Sequence, residues 1–180
     1  MLALPLAGVA PRAAADESLL PLLRQGGLVV AFRHALAPGT FDPPQFRVDD
    51  CSTQRNLNDE GRAQARRIGA WFRGHALVPA AVRSSPWCRC LDTATLAFGA
   101  AEAWDALSSP RQSDDSARSR RLAELHAALA ALPAGRLEVW VTHQFVLSDL
   151  AGTSTASAEG LLLRAADGGR AAVLGRLNLV

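Results

Sequence analysis

Two histidines in this chain each follow a strand-like run, and the first of these runs is continuously apolar. Arg33 and His34 come directly after residues 28–32, and His143 comes after residues 137–142. Short apolar runs of this kind are typical of buried strands in an α/β sheet, where ligands bind beyond the carboxyl ends of the strands. An imidazole at such a position can attack phosphorus while a nearby guanidinium carries the oxyanion charge. The pattern therefore indicates a phosphoryl-transfer pocket.

The elements that must position these residues alternate along the chain. Asn58, followed by Asp59 and Glu60, predicts the start of a helix that ends at Phe72 or Gly74. The further predicted elements are a strand at 80–85, helices at 86–98, 115–132 and 145–150, and a hairpin of strands 160–164 and 171–177 with its turn at 167–169.

A long segment, 35–55, separates the first strand from the first helix. It is rich in Pro, Gly and Asp and too long to be a simple connection, which favours a functional loop. The whole pattern predicts an α/β fold, a three-layer αβα sandwich with a mostly parallel central sheet.

The amino-acid composition limits the kinds of protein to which this chain can belong. A chain of 180 residues with 49% hydrophobic residues predicts one soluble globular domain with a substantial core. All nineteen basic residues are arginine, so a lone arginine says little about function. The formal charge is +2 and no basic block occurs, so no nucleic-acid partner is expected.

The first sixteen residues differ from the rest. Residues 1–10 are apolar, Arg12 follows, and residues 13–15 are alanines, as in a secretory signal with its cleavage site. The run is too short to span a bilayer. We expect a leader at 1–16, a domain at 17–180 and a periplasmic or secreted protein. The alternative is a disordered extension of a cytoplasmic protein.

The three cysteines, Cys51, Cys88 and Cys90, lack zinc-ligand spacing, so no metal site is predicted. Export would allow a disulfide from Cys51 to Cys88 or Cys90, which would leave one thiol free. Three small, buried, reduced residues are an equal alternative.

Four segments in order resemble the histidine phosphatase superfamily, in its phosphoglycerate mutase-like branch with an Arg-His-Gly signature. These segments are Arg33-His34, residues 57–65, residues 84–94 and Thr142-His143. The resemblance extends over residues 28–177. Each segment alone is weak, whereas four in order, each at the right kind of element, form a strong signal.

The resemblance implies a role for each matching residue. His34 would be the nucleophile that becomes phosphohistidine, Arg33 and Arg89 would bind the phosphoryl oxygens, and His143 would stabilise the transition state. Positioned cationic donors supply most of the catalysis in phosphoryl transfer, so neither a metal nor another cofactor is implied.

Three further residues are candidates for substrate binding. Thr40 lies six positions after His34, where many relatives carry a phosphate-binding asparagine. Arg83 stands at the end of the predicted strand 80–85. Gln144 occupies the position of the catalytic aspartate of acid-phosphatase relatives.

The chain departs from the family pattern at two further places. Ala35 replaces the usual glycine, for which we expect a slightly altered backbone. Ser109 stands where the branch carries its glutamate acid, so the acid is unassigned; Asp105 is the first candidate, with Asp114 and Asp42 as others. A poorly supplied acid would favour substrates with good leaving groups, or phosphohistidine and phosphoramidate substrates.

The predicted function is a phosphomonoesterase that acts on a small phosphorylated substrate through a phosphohistidine intermediate. The alternative is a non-catalytic phospho-ligand-binding module of the same fold. Neither a membrane span nor a particular oligomeric state is predicted.

Overall fold

A six-stranded sheet lies at the centre of the computed structural model, which describes residues 17–110, 114–166 and 171–179. The predicted leader and the predicted hairpin turn at 167–169 lie outside these residues. The strands are β1 (Leu28–Arg33), β2 (Ala81–Ser84), β3 (Glu102–Ala103), β4 (Leu137–Thr142), β5 (Glu159–Ala165) and β6 (Ala171–Asn178). The α-helices are α1 (Leu20–Gln25), α2 (Asp59–Gly74), α3 (Cys88–Phe98), α4 (Asp115–Ala130) and α5 (Gln144–Ala151).

The strand order is β3-β2-β4-β1-β5-β6. The neighbours from β3 to β1 pair in parallel, while β5 pairs antiparallel with β1 and β6 pairs antiparallel with β5. The predicted α/β fold with a mostly parallel sheet is confirmed, and so are the two final strands.

Helices cover both faces of the sheet because the central strands are apolar on both sides. In β1, Val30 and Phe32 face a core that includes residues of α2 and α3, whereas Val29 and Ala31 face a second core that includes residues of α4 and α5. This arrangement gives the three predicted layers. None of the helices in the described ranges is long and apolar enough to cross a membrane.

Asn58 caps α2 as predicted, because its side chain accepts a hydrogen bond from the backbone N–H of Gly61 at 2.8 Å. Helix α3 begins at Cys88, two residues later than predicted, since Trp87 is still extended. Helix α1 and strand β3 were not predicted, because six and two residues are too short to show a periodic pattern.

Helices α2 and α3 pack closely through a glycine. A β-carbon at Gly69 would lie 2.0 Å from the carbonyl oxygen of Ala97 at the end of α3. The absence of a side chain at Gly69 therefore sets the position of α3, the helix that carries Arg89.

Candidate active site

Strands β1 and β4 bring the two predicted strand-end histidines together. The strands are parallel neighbours in which Arg33 pairs with Thr142, so His34 and His143 emerge at the same edge of the sheet. The backbone N–H of His34 extends this pairing by donating to the carbonyl of Thr142 at 2.9 Å. The two imidazole rings stand 5.6 Å apart, centroid to centroid.

The backbone fixes the tautomer of His34. Its Nδ1 lies 2.8 Å from the carbonyl oxygen of Ala35, which can only accept, so Nδ1 carries the proton. Nε2 is then the basic nitrogen, and it accepts from Nε of Arg89 at 3.3 Å. Burial, reinforced by the charge of Arg89, lowers the pKa of His34 to about 3. The ring is therefore neutral and nucleophilic at neutral pH.

His143 has the opposite tautomer. Arg89 can only donate, and its Nη2 lies 3.5 Å from Nδ1 of His143, so Nδ1 accepts. Nε2 of His143 then donates to the hydroxyl of Ser85 at 2.8 Å. Complete burial, then the charge of Arg89, lowers the pKa of His143 well below its usual value. Ser85 thus orients the second histidine, a role that no motif in the sequence indicated.

Arg89 occupies the centre of the site, in the first turn of α3, and only 4% of it is exposed. Its Nη1 donates to Oδ1 of Asp42 at 2.8 Å, which forms a buried ion pair with the long loop. Asp42 also accepts from the backbone N–H of Arg55 at 3.0 Å and from Nε1 of Trp87 at 3.3 Å. Burial alone would raise the pKa of Asp42, but the Arg55 N–H and Arg89 together lower it, so Asp42 remains a carboxylate.

Two further guanidinium groups line the same cavity. Nη1 of Arg33 donates to the carbonyl of Thr155 at 2.9 Å, and Nη1 of Arg55 donates to the carbonyl of Gly39 at 3.0 Å. The Nε–H groups of Arg33 and Arg55 have no acceptor among the described residues. Burial, followed by repulsion from Arg89, lowers the pKa of both arginines. Three guanidinium groups lie close together, and two of them have Nε–H donors without a described acceptor. An anion bound among them would neutralise their mutual repulsion and accept from these donors.

These groups enclose a cavity of about 520 Å³. Its lining residues are Arg33, His34, Gly39, Thr40, Phe41, Asp42, Phe46, Arg55, Trp87, Arg89, Ser109, His143, Gln144 and Phe145. The structure thus brings together Arg33, His34, Arg89, His143, Thr40 and Gln144 from the sequence-predicted set.

Arg83 does not line the cavity, contrary to expectation. Its guanidinium stacks over the ring of Trp104 at 4.9 Å and lies 3.9 Å from the buried carboxylate of Glu138 and 3.7 Å from Glu102. Glu138 is 4% exposed and needs nearby cations, so Arg83 faces this acid instead of the histidines.

Asp105, the first candidate for the acid, also lies outside the cavity lining. The structure therefore does not support Asp105 as the acid of this site. Its side chain is 71% exposed and pairs with Arg121 at 2.8 Å. The hydrogen bond from Arg121, despite a smaller opposing effect of burial, lowers the pKa of Asp105, so it is ionised at neutral pH. Asp114 instead caps α4 through the backbone N–H of Ala117.

Ser109 lines the cavity, at the position where the family resemblance would place a glutamate. Among the described lining residues, Asp42 is the single carboxylic acid, and it is paired with Arg89. The described part of the site therefore holds no protonated carboxyl group for a leaving group.

Ala35 takes the place of the expected glycine without a left-handed backbone. The non-glycine residues with positive φ in the described ranges are Ala76 and Ala158. The backbone N–H of Ala35 donates to the hydroxyl of Thr93 on α3 at 3.0 Å, and its methyl group is fully buried. The methyl group at this turn is accommodated in the core.

A disulfide joins Cys51 to Cys88, with the two Cα atoms 5.7 Å apart, and Cys90 is free and buried. The sequence left open whether an exported protein would pair Cys51 with Cys88 or with Cys90. In the structure Cys51 pairs with Cys88. Cys88 directly precedes Arg89, so the bridge attaches the long loop to the start of α3. No group of metal-ligating side chains occurs in the described ranges.

Comparisons with known proteins agree with the resemblance stated above. The family model of the histidine phosphatase superfamily (branch 1) matches residues 45–111. No curated protein matches the sequence significantly. The match and the structural neighbours below confirm the resemblance to this superfamily, and the neighbours confirm the fold.

Solved structures with the same fold cover most of the chain. A phosphoglycerate mutase from Thermus thermophilus is 19% identical with a TM-score of 0.58, over 85% of this chain and 99% of that one. The protein histidine phosphatase SixA, complexed with tungstate, is 18% identical with a TM-score of 0.55, over 84% and 96%. A phosphoserine phosphatase mutant from Entamoeba histolytica, in complex with phosphoserine, is 12% identical with a TM-score of 0.58, over 83% and 95%.

Proposed function

We propose that this chain, which resembles the histidine phosphatase superfamily in sequence and in fold, hydrolyses small phosphate monoesters through a phosphohistidine at His34. One observation carries the proposal: the unprotonated Nε2 of the neutral His34 lies in a cavity lined by three guanidinium groups and a second neutral histidine. The guanidinium groups attract a phosphate dianion, while the neutral imidazole can attack its phosphorus.

The first step transfers the phosphoryl group. Nε2 of His34 forms a bond to phosphorus as the bond from phosphorus to the leaving oxygen breaks, and that oxygen takes the electron pair. The guanidinium groups of Arg33, Arg55 and Arg89 bind the equatorial oxygens, on which charge accumulates. The carbonyl oxygen of Ala35, which accepts from Nδ1–H of His34, stabilises the positive charge that the ring acquires.

The second step regenerates the enzyme. Water attacks the phosphorus of the phosphohistidine, the bond to Nε2 breaks, and the electron pair returns to the imidazole. The water releases its proton to solvent or to the departing phosphate. His143 lies beside the phosphoryl position, and an incoming dianion would raise its pKa, which allows it to donate to an equatorial oxygen.

The three guanidinium groups supply the charge that a divalent metal would otherwise provide, so the proposed reaction requires no metal. We expect the rate to be unchanged after dialysis against a chelator. A loss of rate that Mg²⁺ or Zn²⁺ restores would contradict this part of the proposal.

The experiment is turnover of p-nitrophenyl phosphate by the full chain and by two matched variants. His34→Ala should abolish phosphate release, while His126→Ala, the same change on α4 outside the cavity lining, should preserve it. Acid quenching during turnover should destroy the phosphoenzyme and alkaline quenching should preserve it, as expected for a phosphoramidate. A phosphoenzyme that persists in His34→Ala would overturn the assignment.

The second candidate, a phospho-ligand-binding module, is favoured by one observation, the serine at position 109 in place of an acid. Such a module would bind phosphate competitively with other anions but would release none from p-nitrophenyl phosphate. Turnover lost in His34→Ala excludes this candidate.

We also propose that the protein is exported. The apolar leader at residues 1–16 and the Cys51–Cys88 disulfide support this, since disulfides persist in oxidising compartments. Expression of the full sequence followed by fractionation and N-terminal sequencing tests the proposal. A full-length chain retained in the cytoplasm with three free thiols would contradict it.

A further inference from the structure

The cavity has an aromatic rim. Phe41 is 50% exposed and Phe145 is 45% exposed, and every other aromatic side chain in the described ranges is more buried than these two. Both line the cavity that contains His34. Large apolar side chains left half in water at the mouth of one cavity are typical of a site that covers them when a ligand binds.

A continuous series of ring contacts runs from the nucleophile along the cavity lining to Phe46. The ring centroids are 5.6 Å apart for His34 and His143, 5.4 Å for His143 and Trp87, and 5.8 Å for Trp87 and Phe46. Phe46 and Trp87 both line the cavity. A planar group attached to a phosphate on His34 therefore has an aromatic wall beside it.

Among the described lining residues, charge is confined to the inner part of the cavity. Arg89 is buried and Arg33 and Arg55 are half-buried, whereas the exposed lining residues, Gly39, Thr40, Phe41 and Phe145, carry no charge. A substrate with a second anionic group, such as a carboxylate, finds no cation at the described rim. The rim thus selects an uncharged, apolar leaving group.

The lining residues also limit which leaving groups can depart. With Ser109 in the cavity and Asp42 paired with Arg89, the described lining offers no carboxylic acid to protonate a departing alkoxide. A phenoxide is stable enough to depart without one, since its negative charge is delocalised into the ring.

We propose that the substrate is a small aryl phosphate, whose uncharged aromatic ring lies between Phe41 and Phe145 while its phosphoryl group lies on His34. This inference rests on the proposed function and names the substrate class of the same site. The bond from Nε2 of His34 to phosphorus forms, the bond from phosphorus to the aryl oxygen breaks, and the phenoxide leaves with the electron pair and takes a proton from water.

Binding tests the aromatic rim without any need for turnover. We expect phenylphosphonate to bind about tenfold more tightly than methylphosphonate in calorimetry, because only the former reaches the rim. In the double variant Phe41→Ala/Phe145→Ala this advantage should fall to about twofold, with the Kd of methylphosphonate unchanged as a check on folding. Val78→Ala, at an exposed position outside the cavity lining, is the control.

Turnover then separates aromatic recognition from leaving-group acidity. Phenyl phosphate should have a higher kcat/KM than hexafluoroisopropyl phosphate, whose leaving alcohol is of comparable acidity but is not planar. The double variant should remove most of this difference through KM. A phosphotyrosyl peptide should be no better than phenyl phosphate, and a large preference for the peptide would overturn the assignment to a small ligand.

Two results would overturn the aryl assignment while phosphatase activity stands: equal Kd values for the two phosphonates, or an aryl preference that survives in the double variant. A third result would separate aryl binding from hydrolysis. Tight phenylphosphonate binding that depends on Phe41 and Phe145, with no turnover of either ester, would support the aryl site and refute hydrolysis.

Discussion

Both histidines in the cavity are neutral, because burial and the adjacent guanidinium group of Arg89 both lower their pKa. Neutrality keeps the lone pair of Nε2 of His34 unprotonated for attack, and it also links folding to pH. An unfolded histidine binds a proton near pH 6.5, whereas folded His34 remains unprotonated down to about pH 3. Below pH 6.5 the unfolded state therefore binds more protons, and the free energy of unfolding falls as pH falls.

We expect the free energy of unfolding to drop by about 2 kcal/mol between pH 7 and pH 5 on account of His34 alone. This window lies above the range in which ordinary carboxyl groups titrate. Urea unfolding at several pH values measures the slope, which should be shallower in His34→Asn and unchanged in Val78→Ala, an exposed position outside the cavity lining. Identical slopes in His34→Asn and the wild-type protein would show that His34 is protonated in the folded state.

Asp42 should weaken the binding of anions, because its carboxylate neutralises Arg89 inside the cavity. Asp42→Asn keeps an oxygen for the Arg89 and Arg55 donors but removes the charge, so we expect phosphate to inhibit about three- to tenfold more strongly. The inhibition constant for phosphate in the p-nitrophenyl phosphate assay measures this. Asp92→Asn, on the helix that carries Arg89 but outside the cavity lining, should leave the constant unchanged. An unchanged constant in Asp42→Asn would contradict the proposed role of Asp42.

The local sequence was sufficient to predict the site residues that directly follow strands. It was not sufficient for residues whose place inside or outside the cavity depends on the direction of their side chains. Arg33, His34 and His143 were predictable because the carboxyl ends of parallel strands meet at one edge of a sheet. Arg83 and Asp105 also lie near that edge in sequence, but each is paired with an opposite charge away from the cavity.

At the level of helices and strands, predictions succeeded where a pattern was long and failed where it was short. The buried runs of β1 and β4 and the cap at Asn58 are all explicit in the sequence. The route of the long loop is not, because it depends on contacts between distant residues such as Asp42 and Arg89.

Close packing of α2 on α3 sets the position of Arg89, so an added methyl group at Gly69 should disturb both folding and catalysis. We expect Gly69→Ala to lower the free energy of unfolding by about 1–3 kcal/mol, because the new β-carbon would collide with the Ala97 carbonyl. We also expect it to reduce kcat/KM. Denaturant unfolding and p-nitrophenyl phosphate turnover measure the two effects.

Gly74→Ala is the matched control, since a β-carbon there meets nothing within 4 Å. This substitution should leave kcat/KM unchanged and raise the free energy of unfolding by up to about 1 kcal/mol. Equal losses of stability in the two alanine variants would show that the α2–α3 contact does not decide the position of α3.

For the molecule as a whole, the Cys51–Cys88 disulfide makes stability depend on the redox environment. The bridge spans 37 positions of sequence, and in the chain-entropy model a loop of this length contributes about 3 to 4 kcal/mol. Cys51→Ser should lower the melting temperature by the same amount as reductant lowers that of the wild-type protein. Reductant should have no further effect on Cys51→Ser, and a melting temperature insensitive to both would show that the bridge contributes nothing.

The hydrogen bond from Nδ1 of His34 to the carbonyl of Ala35 has an evolutionary consequence. The acceptor belongs to the main chain, so no single side-chain substitution can delete it, and position 35 can exchange glycine for alanine without losing the nucleophile's tautomer. His143 has no such protection, because its partner is the hydroxyl of Ser85, which one codon change removes. Genetic drift should therefore impair the second histidine before it impairs the first.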